Sequence, residues 1–184
     1  SPAPAPAPKP VASAPKPAPK PVVDAKPKVA AMPTPQDKER KRRERLMEAY
    51  LTLAAFPDVK PGLEALKNQG VKLAILSNGE PRMLEAAAKS AGIDTLLDAI
   101  ISVEEIKIFK VSPRVYHLGL ERLQVSRRAL GFVSSNSWDI NGAASAGLTT
   151  FWIQRTAGEP PEELGFAASR VVAAITDLAP LVRG

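Results

Sequence analysis

The sequence predicts an α/β domain, a mostly parallel sheet with helices on both faces, preceded by a disordered Pro/Ala/Lys-rich tail. Three observations lead there. Short apolar runs alternate with helical segments from about residue 56 to the C-terminus, the pattern of a parallel sheet with crossover helices. Twelve of the 19 prolines fall in residues 1–36 of the 184-residue chain. All nine aromatic residues lie beyond residue 46.

Residues 1–36 repeat Ala-Pro and Lys-Pro units (APAPAPKP, APKPAPKP, DAKPKVAA). A stretch without aromatics buries too little apolar area to offset its ordering entropy. Proline keeps it extended at about 3.1 Å per residue. With five lysines and one acid it carries +4. It reads as a solvated tether, or as a cationic arm that contacts acidic surfaces. Residues 37–55 read as a basic amphipathic helix, with Leu46, Met47, Tyr50, Leu51 and Leu53 behind DKERKRRERL. Residues 56–184 form the α/β core.

Within that core, Pro61–Asn68 reads as a helix with proline in its first turn. Gly70 ends it, and Val71–Leu76 (VKLAIL) is an apolar strand. Pro81–Ser90 is a helix closed by Gly92. Ala99–Val103 is a strand, Pro113–Leu123 a helix and Leu130–Ser134 a strand. Ile140–Ala146 is a short helix of small residues, followed by the strand Thr149–Gln154. Arg170–Ala173 reads as a last short strand and Ile175–Val182 as a last helix.

Charge and composition exclude several functions. The first 46 residues carry +7 of a net +6, which leaves residues 47–184 at −1. A basic nucleic-acid-binding core is therefore disfavoured, and no specific nucleic-acid partner is expected. The absence of cysteine excludes disulfides, thiolate zinc sites and cysteine catalysis. No apolar run approaches the roughly 20 residues that span a bilayer. A cytoplasmic location is expected, with a processed N-terminus left open because the chain does not begin with methionine.

In open α/β sheets the chemistry sits at the carboxyl ends of the strands. Three places qualify. Ser77 and Asn78 follow the strand VKLAIL, where a hydroxyl, an amide and backbone N–H groups can hold an anionic oxygen; they are also ordinary turn residues. Lys110, six residues before Tyr116, is either a cation set beside a carboxylate or a surface lysine. Ser134-Ser135-Asn136-Ser137-Trp138-Asp139 gathers hydroxyls, an amide and a carboxylate on one loop, and the following GAASAG permits close helix packing. His117, the lone histidine, has no second histidine or cysteine cluster to share a metal.

In their order and spacing, AYLTLAAFPDV, LAILSNG, IKIFKVSPRVY, FVSSNSWDINGAASAG and TTFWIQRT resemble the (S)-2-haloacid dehalogenases, the type II branch of the haloacid dehalogenase superfamily. The resemblance runs from about Leu46 to the C-terminus. It implies a Rossmann-like core and hydrolytic dehalogenation of small (S)-2-haloacids through an aspartyl ester, without a cofactor. It further implies that Ser77 and the backbone near Asn78 bind the substrate carboxylate, with Asn78 near the leaving halide. Lys110 would keep the nucleophilic carboxylate ionised, supported by Tyr116. Ser134 and Asn136 would fix the nucleophile and the hydrolytic water. Asp139 would orient Lys110 or help activate water, and Trp138 would wall the apolar side of the pocket.

Several features depart from that pattern. The family's first strand, with its nucleophilic Asp in a D-x-Y-G-T-type segment, has no counterpart here, and most of the cap insertion is missing. Asp24 in PVVDAKPK lacks the Gly-Thr turn and is not taken as the nucleophile. Val111 stands where the family has proline. The chain alone is therefore expected to be inactive, a pseudoenzyme. A magnesium-dependent phosphatase is disfavoured because Ser135 stands where those enzymes carry a second loop acid, so no metal is expected. The alternative function is a non-catalytic module, tethered by its tail to a larger assembly. Because the family's first strand lies between the strands here at Val71–Leu76 and Leu130–Ser134, three outcomes are open. A homo-oligomer or protein partner completes the sheet, the two strands pair directly, or the chain is a fragment.

Overall fold

The computed structural model describes residues 34–156, 158, 160 and 164–182. The expected tail lies outside these residues except for Thr34–Gln36, and so does Asp24.

Helix α1 (Pro35–Tyr50) starts at a capping box. The Thr34 hydroxyl accepts from the Asp37 N–H at 3.1 Å, and the Asp37 carboxylate accepts from the Thr34 N–H at 3.2 Å. It buries no residue. The apolar residues expected to form its inner face, Leu46, Met47, Tyr50 and, just past its end, Leu51 and Leu53, are all exposed.

The core elements are α2 (Val59–Asn68), β1 (Ala74–Ser77), α3 (Pro81–Ser90), β2 (Ala99–Ser102), α4 (Pro113–Leu123), β3 (Gly131–Ser134), α5 (Ser137–Ser145), β4 (Thr149–Ile153) and β5 (Arg170–Val172). Proline at the first turn of α3 and α4 is pre-set for helix and lacks an N–H that would go unpaired there. The first part of the expected VKLAIL strand is not a strand. Val71 N–H bonds back to Leu66 and Leu73 N–H bonds the Asp98 carboxylate, so these donors are lost to a ladder. The expected last helix is also absent. Two 3-10 turns, Ile175–Asp177 and Ala179–Leu181, take its place. Pro180 has no N–H to give an α-helix, and the Asp177 carboxylate captures the N–H groups of Ala173 and Ala174.

All strand pairs are parallel, but they form two ladders. β1 pairs with β2, Ser77 opposite Ser102. β3 pairs with β4, Ser134 opposite Trp152, and β4 pairs with β5. Among the described residues no ladder joins β1 to β3. Side chains hold the two halves together instead. Leu76 of β1 packs on a cluster containing Tyr116, Phe132, Ile140 and Trp152. Val133 of β3 packs on the cluster of Leu66, Leu73, Ile153 and Val172. Leu73 and Leu76 have opposite parity, as do Phe132 and Val133, so the clusters lie on opposite faces. Helices α4 and α5 cover the first face, and α2 covers the second.

Asp58, just before α2, ties three segments together. Its carboxylate accepts from the Ile175 N–H at 2.7 Å and from the Arg155 guanidinium at 3.0 and 3.2 Å. Partial burial pushes this carboxyl up, but the bond from Ile175 and the bond and charge of Arg155 outweigh it and hold its pKa below the usual carboxylate value. A depressed folded pKa gives stability that is full above the unfolded pKa and is lost as pH falls through the folded one. Asp58→Asn is therefore expected to be less stable than the wild type at neutral pH, with the difference shrinking below about pH 4. Urea unfolding in neutral and acidic buffer measures this. A difference that stays constant with pH would show that the carboxylate's charge is not what binds these segments.

Candidate active site

The site is built where β1, β3, α4 and α5 meet the loop 103–112. Lys110 reaches from that loop to α5. Its Nζ lies 2.8 Å from Asp139 Oδ2, and the two side chains are only 9% and 4% exposed. The ammonium also sits 5.0 Å from the centroid of the Phe132 ring, whose negative face favours a cation. Asp139 stands in the first turn of α5, where the partial positive charge of the helix end favours an anion.

Tyr116 on α4 completes the pair. Its fully buried hydroxyl donates to Asp139 Oδ1 at 2.8 Å and lies 3.2 Å from the Asp139 carbonyl oxygen. Burial first, then the bond to Asp139 and the charge of that carboxylate, push the phenol far above its ordinary pKa. Tyr116 therefore stays protonated and can only donate to Asp139. Both Asp139 oxygens are thus occupied by protein donors.

Asn78, one residue past β1, anchors the lysine's backbone, its Oδ1 accepting from the Lys110 N–H at 3.0 Å. Four of the expected site residues, Asn78, Lys110, Tyr116 and Asp139, form one bonded network. The others lie next to it in sequence and outside its hydrogen bonds. Ser77 Oγ accepts from the Gly79 N–H at 3.1 Å. Ser134 Oγ accepts from the Asn136 N–H, also at 3.1 Å. Asn136 is exposed and caps α5 through its backbone, and Trp138 is half-buried beside Asp139. Among the described residues no group of three or more His, Asp or Glu side chains could hold a metal ion.

Two contributors escape sequence reasoning. Trp152 of β4 donates its indole N–H to the Ser135 carbonyl at 3.1 Å and so fastens the loop after β3 to the neighbouring strand. A buried indole N–H usually finds an acceptor, but which one depends on the β3–β4 register. Ser102, at the end of β2, donates to the Gly79 carbonyl at 2.7 Å and steadies the loop after β1. A cavity of about 460 Å³ lined by Ile140, Trp152, Leu164, Phe166 and Val171 lies apart from this network. Among the described residues that line it, none is charged.

The model for haloacid dehalogenase-like hydrolases matches residues 20–147. The chain is 42% identical over 140 residues to (S)-2-haloacid dehalogenase 4A of Burkholderia cepacia, covering 76% of this chain and 60% of that protein. It is 43% identical over 129 residues to an (S)-2-haloacid dehalogenase of Pseudomonas sp. (strain YL), covering 70% and 55%. Among solved structures it resembles the L-2-haloacid dehalogenase RSc1362, with a TM-score of 0.73 and 42% identity over 77% of this chain and 62% of that one. The chain thus spans between 55% and 62% of the length of these relatives. A family match over most of the sequence, a shared fold and the Lys–Asp–Tyr network at the strand ends lead to one conclusion: the chain belongs to the haloacid dehalogenase-like hydrolases.

Proposed function

We propose that this chain carries the charge-positioning half of a dehalogenase site for small (S)-2-haloacids, and that a carboxylate-bearing strand supplied between β1 and β3 completes it. The observation that carries this reading is the buried Lys110–Asp139 pair. Asp139 aims the ammonium from 2.8 Å, and the ammonium in turn favours the ionised form of a nearby attacking carboxylate. That carboxylate attacks C2 of the haloacid, a C–O bond forms, the C–halogen bond breaks and halide leaves with the bonding pair. Water then hydrolyses the ester, releasing the 2-hydroxyacid and regenerating the carboxylate. Ser77 and the backbone at Asn78 bind the substrate carboxylate, with Asn78 also near the departing halide. Ser134 and Asn136 hold the nucleophile and the attacking water, Trp138 walls the apolar side, and Tyr116 fixes Asp139.

The gap between the two ladders supports the second half of the proposal. Among the described residues no strand pairs with β1 or β3 on the side that faces the gap, and such strand edges invite strand addition from a second copy or another protein. In this reading residues 1–36 are the tether, 37–55 a basic helix and 56–184 the core.

The purified 184-residue chain tests both halves. Alone it is expected to release no chloride from (S)-2-chloropropionate above background. The (S) acid is nevertheless expected to shift the amide resonances of residues 77–79 and 134–136 more than the (R) acid does. Steady release by the purified chain would locate the nucleophile within it and overturn the supplied strand, and loss of that release in Asp24→Asn would identify the residue. Absence of those shifts would overturn the dehalogenase reading in favour of a non-catalytic module.

A further inference from the structure

Gly142 lies on the side of α5 that faces α4, in the run GAASAG, and it is fully packed. A Cβ placed there would lie 2.4 Å from the Tyr116 hydroxyl oxygen, 3.1 Å from Tyr116 Cε2 and 2.9 Å from Val111 Cβ. Its φ is not in the left-handed region that favours glycine, so the backbone gives no reason for this residue. The reason is space. The Tyr116 hydroxyl cannot simply step aside, because the ring is fully buried and edge-on to Phe132 at 5.3 Å. Val111, the second obstacle, is bonded directly to Lys110.

We propose that Gly142 is a positioning residue. By lacking a side chain it lets the Tyr116 hydroxyl reach Asp139, and through Asp139 it sets where the Lys110 ammonium points. A methyl group at 142 drives the phenol off Asp139 Oδ1 and frees one carboxylate oxygen, so Asp139 no longer holds a single orientation toward Lys110. An alanine inside a helix would ordinarily favour it over glycine. Loosening of the lysine by that substitution is thus the opposite of the effect that helix propensity alone predicts.

The inference rests on the reading of Lys110, Asp139 and Tyr116 as one working network, and its test does not depend on turnover. Native-state labelling of lysines with trinitrobenzenesulfonate, read per peptide by mass spectrometry, reports how often Lys110 leaves its pair. Lys72, whose Nζ bonds the Leu123 carbonyl, is the internal control. In Gly142→Ala, Lys110 is expected to label about tenfold faster, the ratio set by losing one hydrogen bond to a charged group, with Lys72 unchanged. Tyr116→Phe is expected to have a similar effect. The double variant is expected to label no faster than Gly142→Ala, which already breaks the bond that Tyr116→Phe removes. Wild-type labelling of Lys110 in Gly142→Ala, or effects that multiply in the double variant, would overturn the proposal. If Gly142→Ala does not fold, Tyr116→Phe alone carries the test, and wild-type labelling of Lys110 in that variant overturns the proposal. Haloacid-induced amide shifts are a separate readout, so failure of the dehalogenase reading and failure of this inference are distinguishable.

Discussion

Asp139→Ala is expected to lower the unfolding free energy by about 3–5 kcal/mol, the cost of leaving a buried charge without its partner. The magnitude follows from where the charge lies. Lys110 is only 9% exposed, so water cannot replace the lost carboxylate as it does at an exposed pair worth about 0–1 kcal/mol. The substitution also strips the Tyr116 hydroxyl of its 2.8 Å acceptor. Asp139→Asn keeps an acceptor for the phenol and is expected to cost less than alanine. Equilibrium urea unfolding of the three proteins at neutral pH gives the comparison. A loss for Asp139→Ala no larger than that of an exposed pair would mean that Lys110 escapes to solvent and that the network is not a rigid device for placing its charge.

Trp152→Ala is expected to cost about 3–5 kcal/mol, as truncations of large buried aromatics do. Two contributions combine in that figure. The indole packs with Phe132, Ile140 and Ala143 in the cluster between the sheet and α5, and its N–H holds the Ser135 carbonyl. Trp152→Phe separates them. It keeps most of the apolar contact and loses the hydrogen bond to an exposed residue, for about 1 kcal/mol. Its signature is expected in hydrogen exchange, with faster exchange at Ser135, Asn136 and Ser137 while β4 stays protected. If Trp152→Phe costs as much as Trp152→Ala, the hydrogen bond rather than the packing anchors this wall of the site. If exchange in the loop is unchanged, Trp152 does not hold that loop.

Both effects fall on one small region because, among the described residues, no strand ladder joins the two halves there. β1 and β3 are held to each other through Leu76, Phe132, Leu73 and Val133, so the strand ends that carry Ser77 and Ser134 depend on side-chain packing for their relative position. The Asn78–Lys110–Asp139 chain of bonds crosses the same junction. The site network is therefore also a structural clasp, and a substitution in it is expected to affect stability and substrate contact together.

The local structure can be read from the sequence. Alternating short apolar runs and prolines at helix starts mark the elements from α2 to β5, because strand and helix periods and the fixed φ of proline act within a few residues. The polar clusters after β1 and β3 were legible for the same reason: they follow apolar runs directly. The tertiary structure alone decided the pairings across long separations. Lys110 finds Asp139 at 29 residues' distance, Asn78 finds the Lys110 backbone at 32, and Trp152 finds Ser135 through the β3–β4 register. Segment periodicity does not encode which strands become neighbours, so it did not reveal that the sheet stands as two ladders or that the apolar end of α1 stays exposed. The C-terminal segment makes the same point on a smaller scale. Its apolar spacing suits a helix, but Asp177 and Pro180 turn it into two 3-10 turns, because the carboxylate captures backbone donors and the proline has no N–H to extend an α-helix.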